Sequence, residues 1–381
     1  MIAFLIFAVC GAVRAQWEME SSGTTADLRG IDNVGGGVAW ASGTNGTVLR
    51  TEDGGYLWQA CTVPPGAEHL DFRGVQAFDA NTAIVMSSGK GDLSRLYKTT
   101  DGCHTWKLVF TNPDKDGFWD AVKFSDRQNG FLLGDPVRGK FVLMGTYDGG
   151  EQWIRARGAS LDAANAKSGI FAASNSSLLF SVEENVPSFV TGGPGGAFFY
   201  GGLYQYTNDG KSGDDLCRPH AGGTPPSTCI VSLLGFQSLE LALTGGSDSS
   251  GGFSIAASAL HRYRAVVVGG DYTTPEVGDG SAAYLDGDFE GWLPAKAPPH
   301  GYRSAVAYDA ASKAWITVGP NGTDISTDDG KNWRALYPDA AMHEAPDADR
   351  DWNALSLPFV VGPHGRIGKL HPKALAQNDS K

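Results

Sequence analysis

Residues 51–58 read Thr51-Glu52-Asp53-Gly54-Gly55-Tyr56-Leu57-Trp58. The pattern Ser/Thr-x-Asp-x-Gly-x-x-Trp returns at residues 99–106, where Cys103 replaces the glycine, and at residues 146–153 and 326–333. The first three aspartates are 48 and 47 residues apart, and the stretch before the fourth has room for four spacings of about 45. Such regular spacing indicates a fold built from repeated units.

Each of these segments has the composition of a tight hairpin turn. Glycine accepts the positive φ of an Asp-Gly turn, and the aspartate can accept backbone N–H groups within it. The pattern resembles the Asp box of bacterial neuraminidase (BNR) repeats, which lies between the outer two strands of β-propeller blades. We therefore interpret its aspartates and tryptophans as structural: Asp53, Trp58, Asp101, Trp106, Asp148, Trp153, Asp328 and Trp333.

A second repeat precedes the turns and indicates the inner strand of each unit. These strands begin near residues 27, 71, 118, 168, 253, 301 and 351, and each leads to an apolar run that ends in glycine, as in Trp315 to Gly319. Short apolar runs between turn residues predict strands. The sequence therefore predicts an all-β fold, a seven-bladed β-propeller of four-stranded antiparallel blades.

The predicted propeller covers residues 16–372, and residues 373–381 form a tail. The last blade lacks an outer strand, and residues 16–20 supply one, which closes the ring and removes both sheet edges. The fourth blade is expanded by an insertion at about 193–252. Residues 1–15 predict a signal peptide with Val13 and Ala15 before the cleavage point, whereas a lipid anchor on Cys10 is the alternative. The protein is thus expected to be secreted or periplasmic.

Four cysteines remain after such cleavage, which is compatible with two disulfides in an exported chain. Cys217 and Cys229 bracket a loop rich in proline and glycine, and we expect them to pair. A bond between Cys61 and Cys103 would follow only by elimination and is left open.

Composition excludes several classes of function. The chain has 30 Lys and Arg against 42 Asp and Glu, a net charge of −12, so nucleic acid is an unfavourable partner. The mature chain lacks an apolar run of the length that spans a bilayer. The histidines have no metal-ligand spacing, so we expect neither a metal nor a cofactor. A monomer is expected.

Over about Trp17 to Leu370, the arrangement resembles the photosystem II assembly/stability factor family of BNR/Asp-box seven-bladed β-propellers. The resemblance rests on residues 302–308, Tyr-Arg-Ser-Ala-Val-Ala-Tyr, and on the repeated Thr-x-Asp-Gly-Gly segments. It implies a non-enzymatic scaffold that binds partner proteins during assembly of a membrane complex. The expanded fourth blade departs from the family pattern.

That family is associated with an arginine-rich patch. Aligning the inner strands places one residue of each blade at the channel mouth: Arg29, Arg73, Asp120, Gly169, Ser254, Arg303 and Asn353. Blades six, seven, one and two would then present Arg303, Asn353, Arg29 and Arg73 as a continuous arc that ends at Asp120. Such an arc suits a carboxylate or an acidic peptide of a protein partner. Alternatively, the arginines pair internally with Asp27, Asp71, Asp120 or Asp351.

A glycoside hydrolase or sialidase-like enzyme is the second interpretation, because Asp boxes are common in sialidases. Three converging arginines are compatible with it. Against it, the Arg-Ile-Pro signature of sialidases is absent, and Glu183, Glu184 and Glu240 have no spacing that pairs them as catalytic carboxylates.

Overall fold

The computed structural model describes residues 16–156, 161–164, 167–180, 186–208, 211–212, 229–261, 264–287, 291–338, 344–371 and 374–375. The predicted signal peptide and most of the predicted tail lie outside these residues, as does Cys217. The pairing of Cys217 with Cys229 therefore stays a prediction.

The strands of the described residues form seven antiparallel sheets, which confirms the predicted seven-bladed propeller. Strands are numbered in chain order. Blade one contains β2 (Leu28–Gly35), β3 (Val38–Gly43), β4 (Val48–Thr51) and β5 (Gln59–Ala60); blade two contains β6 (Phe72–Ala77), β7 (Ala83–Ser87), β8 (Arg95–Thr99) and β9 (Lys107–Thr111); blade three contains β10 (Trp119–Phe124), β11 (Gly130–Val137), β12 (Lys140–Thr146) and β13 (Ile154–Arg155). A short 3₁₀ turn, Gly91–Leu93, precedes β8.

The remaining blades complete the ring. Blade four contains β14 (Leu178–Phe180), β15 (Pro187–Val190), β16 (Phe198–Asn208), β17 (Lys211–Ser212) and β18 (Cys229–Glu240); blade five contains β19 (Ser250–Ala257), β20 (Ala265–Asp271), β21 (Ala282–Leu285) and β22 (Trp292–Pro294); blade six contains β23 (Ala305–Asp309), β24 (Ala314–Gly319), β25 (Gly322–Ser326) and β26 (Arg334–Leu336); blade seven contains β27 (Ala354–Ser356), β28 (Phe359–Val361), β29 (Ile367–Leu370) and β1 (Trp17–Glu20).

The amino-terminal strand closes the ring as predicted. β1 pairs with β29, with Trp17 opposite Leu370 and Glu20 opposite Ile367. Within the described part of the chain, the buried apolar residues form seven clusters, and each cluster fills the interface between two neighbouring blades. The second strands lie between two such interfaces, so β7 and β24 are buried along their whole length. This explains why these strands are continuous apolar runs rather than alternating ones.

The four repeated turns share one hydrogen-bond pattern. In the first, the Thr51 hydroxyl donates to Asp53 Oδ1 (2.8 Å), the Gly55 N–H donates to Thr51 Oγ1 (3.0 Å) and the Leu57 N–H donates to Asp53 Oδ1 (3.0 Å). Equivalent bonds occur in the other three turns. Hydrogen bonds to each carboxylate lower the pKa of the four aspartates. These geometries match a structural role.

A disulfide joins Cys61 to Cys103, the pair that the sequence left open. Cys103 replaces the turn glycine and holds a φ of +62°, a conformation that favours glycine, as at Gly55, whose φ is +101°. The bond also connects the outer edges of blades one and two.

Removing this disulfide should destabilise the protein. We expect Cys61→Ala to lower the free energy of unfolding by about 3 kcal/mol, because the bond closes a loop of 42 residues. The double variant C61A/C103G should recover about 1 kcal/mol of that loss, because glycine adopts the positive φ without strain. Denaturant titration monitored by tryptophan fluorescence measures both. Equal stability of the two variants would contradict the role assigned to the φ of Cys103.

Blade four departs most from the repeat. Its inner segment contributes only a bridge between Gly169 and Gly192 before the chain leaves the sheet and re-enters it at β14. β16 and β18 pair along their whole length, from Phe198 opposite Glu240 to Asn208 opposite Cys229. The predicted insertion therefore includes a hairpin much longer than any other in the described chain.

Candidate functional site

The inner strands share one aligned position near the mouth of the central channel, and in blades one, two, five, six and seven its residue lines a pocket there. In blades one, two, three and five, this position is a β-bulge, occupied by Arg29, Arg73, Asp120 and Phe253. In blades six and seven it is occupied by Ser304 and Asn353, whose N–H groups bond to the second strand of their own blades (2.9 and 2.8 Å). Bulges turn a side chain away from the regular alternation of a strand.

The predicted register is wrong by two residues in blade four and by one residue in blades five and six. The Arg303 N–H bonds to the oxygen of Gly269 (2.9 Å), just as the Leu28 N–H bonds to Gly362 (3.1 Å), both across a blade interface. Arg303 therefore aligns with the buried Leu28, not with Arg29. Ser254 is likewise displaced by Phe253. In blade four, the Gly192 N–H bonds to the oxygen of Gly169 (2.9 Å) as the Thr44 N–H bonds to that of Asp27 (3.0 Å), so Phe171 and not Gly169 aligns with Arg29. Because side chains alternate along a strand, a slip of one residue moves a side chain to the other face.

Arg303 is consequently buried inside blade six rather than exposed at the channel mouth. Its side chain is fully inaccessible, and its guanidinium donates through Nε (2.8 Å) and Nη2 to Asp324. Nη1 donates to the oxygen of Tyr302 (2.7 Å) and to Asn321. His300 Nδ1 lies 2.9 Å from the other oxygen of Asp324, and its interaction with that carboxylate raises the pKa of the histidine. Arg303 thus has a structural position.

A pocket of about 370 Å³ opens at the channel mouth. Three of the five predicted partner-binding residues line it, namely Arg29, Arg73 and Asn353, whereas Asp120 and Arg303 do not. The other lining residues come from blades four, five and six: Phe171, Ala172, Ala173, Phe253, Tyr272, Tyr302 and Ser304. The pocket therefore has a basic wall on blades one and two and an aromatic wall on the opposite side of the ring.

The two arginines of the basic wall share one carboxylate. Arg29 Nε donates to Asp71 Oδ1 (3.1 Å) and Arg73 Nε donates to Asp71 Oδ2 (2.9 Å), which realises the predicted internal pairing. Asp27 lies 3.9 Å from Arg29 Nη2. Neither Nη atom of Arg73 has a hydrogen-bond partner in the part of the chain that the structure describes, and both arginine side chains are about one-third exposed. Internal pairing thus orients the two guanidiniums and leaves hydrogen-bond donors for a ligand.

Four aromatic rings form the other wall. Phe171 and Phe253 stack with centroids 3.7 Å apart and ring planes at 9°, and Tyr302 meets Phe253 edge-on at 4.8 Å. Tyr272 completes the wall and is half exposed. The aligned segments predict Ser254 and Arg303 at the positions that Phe253 and Ser304 occupy, so this wall is not apparent from the sequence. The strand-end glycines Gly269 and Gly319 are the sequence signal that indicates the correct register of blades five and six.

The irregular segment of blade four bonds to the inner strands of blades two and three. Asn175 donates through Nδ2 to the oxygen of Val75 (2.9 Å), and its Oδ1 accepts the N–H of Val122 (3.0 Å). Val75 and Val122 each lie two residues beyond the channel-mouth position of their strands, and so deeper in the channel. Gly74 permits this approach, since a Cβ there would lie 2.3 Å from Asn175 Oδ1. Asn175 thus links blade four to blades two and three below the channel-mouth position.

Asp120, the predicted end of the arc, lies beneath the surface. Its side chain is fully buried, and neither carboxylate oxygen has a hydrogen-bond partner among the residues described. Burial, together with the adjacent Asp135 carboxylate, raises the pKa of Asp120 well above its usual value, an effect opposed by the charge of Arg73. Burial also raises the pKa of Asp135 to about 6. A raised pKa reduces the negative charge that Asp120 contributes beside Arg73.

The chemistry available in the pocket is recognition of an anion. The described lining includes two guanidiniums, an amide and two tyrosine hydroxyls, and no carboxylate. The convergence of three arginines that favoured a sialidase-like enzyme is not observed, because Arg303 is buried elsewhere. Glu183 and Glu184 lie outside the described residues. No group of three or more potential metal ligands occurs within the described ranges.

Seven blades around a pocket at the channel mouth define a β-propeller with a candidate binding site on its axis. No protein-family model matches the chain, and no curated protein matches it in sequence. Among solved structures, the chain is similar to YCF48 bound to D1 peptide, with 17% identity, a TM-score of 0.58, and coverage of 93% of this chain and 96% of that one.

Two further solved structures show the same fold. YCF48 from Cyanidioschyzon merolae is 16% identical, with a TM-score of 0.59 and coverage of 94% of this chain and all of that one. The extracellular domain of the putative one component system BT4673 from B. thetaiotaomicron is 11% identical, with a TM-score of 0.58, and the match covers 93% of this chain and 40% of that one. At these identities the likeness establishes the propeller fold. Within the described residues, no helix has the length and apolar character needed to cross a membrane.

Proposed function

We propose that this protein is an exported, non-enzymatic propeller that binds a protein partner by inserting an acidic segment or chain end into the axial pocket. The observation that carries the proposal is the pair Arg29 and Arg73, which the Asp71 carboxylate holds by their Nε atoms at the pocket wall. Guanidinium groups form strong, geometrically specific hydrogen bonds with carboxylates. Asn353 adds a polar group on the adjacent blade.

Two further observations support the proposal. The Cys61–Cys103 disulfide is typical of an oxidising compartment and thus of export. One propeller of the same fold, YCF48, has been solved with a D1 peptide, so a propeller of this architecture can hold a peptide. The resemblance to photosystem II assembly factors makes a partner from a membrane complex a reasonable first candidate.

The proposal predicts binding that depends on the arginines and on salt. A short fluorescent peptide rich in Asp and Glu should bind the full chain, and R29Q/R73Q should weaken binding about 100-fold or more, since two charge-assisted hydrogen bonds of about 1.5–3 kcal/mol each are lost. Fluorescence anisotropy measures the affinity, which should fall as the salt concentration rises. The matched control R127Q/R334Q removes the same charge outside the pocket lining and should bind within about twofold of the wild type.

Two outcomes would overturn the proposal. Equal affinity of wild type and R29Q/R73Q, with both folded, would remove the arginines from the binding site. Turnover of sialosides or β-glucosides by the wild type would instead support the hydrolase alternative.

A further inference from the structure

The rings of the aromatic wall are not accounted for by the recognition of an anion at Arg29 and Arg73. Phe253 and Tyr302 are buried against their neighbours, but Tyr272 is half exposed beside them, and all three line the pocket together with Phe171. Tyr272 is 6.2 Å from Phe253 and 6.4 Å from Tyr302, centroid to centroid, nearly perpendicular to Phe253. Ring edges and faces are thus presented to the same small volume that the arginines border.

The hydroxyl groups of the two tyrosines add polar character to this wall. Neither Tyr272 nor Tyr302 has a hydrogen-bond partner for its hydroxyl among the described residues. Burial raises the pKa of Tyr302, so its hydroxyl keeps its proton and remains a donor. An aromatic wall with unused donors suits a flat, apolar group that ends in, or lies next to, a hydrogen-bond acceptor.

The size and shape of the pocket limit what can enter. A volume of about 370 Å³ is near the lower end for ligand sites and suits one large side chain with its terminal group. Deeper in the channel, Asn175 bonds to blades two and three and occupies part of the space beneath the pocket. We therefore expect a ligand to enter as an end, with its charge toward Arg29 and Arg73 and its apolar part toward blades four to six.

We propose that the pocket selects a free carboxylate that lies next to an aromatic ring. This chemistry occurs at the carboxyl terminus of a protein that ends in Phe, Tyr or Trp, and also in a free aromatic acid. The inference rests on the proposed function for its basic wall and adds the identity of the group that occupies the aromatic wall.

A set of four small probes tests this selectivity by calorimetry on the full chain. They are acetyl-Ala-Ala-Phe with a free carboxylate, its carboxyl-terminal amide, acetyl-Ala-Ala-Ala with a free carboxylate, and N-acetylphenylalanine. We expect the Phe acid to bind about threefold to tenfold more tightly than the Ala acid, and the amide to bind at least about tenfold more weakly than the Phe acid. Comparable binding of N-acetylphenylalanine would identify a free aromatic acid as sufficient, whereas preference for the tripeptide acid would identify a chain end.

Substitution of Tyr272 tests the contribution of the aromatic wall separately from that of the basic wall. Tyr272→Ala should weaken binding of the Phe acid about threefold to tenfold and should change the affinity for the Ala acid by less than about twofold. Tyr272→Phe should retain the preference for Phe over Ala, because it keeps the ring. Tyr147→Ala removes a similarly exposed tyrosine outside the pocket lining and should change neither affinity.

Failure of this inference can be distinguished from failure of the proposed function. Equal binding of the Phe and Ala acids, still lost in R29Q/R73Q, would overturn the aromatic selectivity and retain the anion site. Binding of the Phe acid that R29Q/R73Q leaves unchanged would overturn the anion site itself. Binding of acidic peptides, but of none of the four small probes, would also overturn the aromatic selectivity.

Discussion

Arg303→Ala should lower the free energy of unfolding by about 3–5 kcal/mol, because it leaves the carboxylate of Asp324 buried without its main partner. The Arg303 and Asp324 side chains are 0% and 1% exposed, and Asp324 keeps only its contact with His300 after the change. The arginine also donates to the oxygen of Tyr302, next to the aromatic wall. Denaturant titration monitored by tryptophan fluorescence measures the loss.

Matched variants identify the cause of this loss. Asp324→Asn should also destabilise strongly, and the double variant R303M/D324L should be more stable than Arg303→Ala, because no unpaired charge remains buried. Arg73→Ala should change stability by no more than about 1 kcal/mol, since its ion pair with Asp71 is partly exposed to solvent. If Arg303→Ala were as stable as Arg73→Ala, the assignment of Arg303 to a structural position would be wrong.

The fold could be predicted because its signals are local. The Ser/Thr-x-Asp-x-Gly-x-x-Trp turns and the strand-end glycines recur along the chain, and each one specifies a turn from a few neighbouring residues. Closure of the ring could also be predicted, because the last blade lacks an outer strand in the sequence and residues 16–20 have the composition of one. The structure confirms both features.

The site was predictable only in part, because it depends on register. Arg29, Arg73 and Asn353 were placed correctly, since the segments that contain them align without ambiguity. In blade six, Tyr302-Arg303-Ser304 resembles Leu28-Arg29-Gly30, but the inter-blade bond from the Arg303 N–H to Gly269 shows that Arg303 corresponds to Leu28. A shift of one residue leaves the similarity of two aligned segments almost unchanged, yet it moves the side chain from the channel into the blade.

Blade four shows a second limit of the sequence. The residues of blade four from Phe171 to Asn175 form no regular strand, and the position of Asn175 depends on bonds to blades two and three. Those partners, Val75 and Val122, are distant in sequence and belong to other repeats. No periodic pattern could place them, because the segment is the exception to the repeat.

Trp17 joins the two ends of the chain. It is 2% exposed, and its ring centroid lies 5.9 Å from that of Trp352. Its indole N–H donates to Thr323 Oγ1 of blade six (3.0 Å), and its strand pairs with β29. Trp17 thus contacts blades six and seven at the place where the amino-terminal strand closes the ring.

Trp17→Ala should therefore lower the free energy of unfolding by about 3–5 kcal/mol, the usual cost of truncating a large buried aromatic side chain. Glu18→Ala is the matched control on the same strand, because Glu18 is exposed, and it should change stability by less than about 0.5 kcal/mol. Denaturant titration of both variants gives the comparison.

A second consequence distinguishes ring closure from ordinary core packing. If Trp17 holds β1 in place, its loss should expose the edge of β29, and an unpaired edge strand favours association with other chains. Light scattering below the unfolding transition should then detect association of Trp17→Ala but not of a variant with an equally costly cavity away from the closure, such as Trp119→Ala in blade three. Equal association of both variants would attribute the effect to general destabilisation, and the closing role of β1 would lose its support.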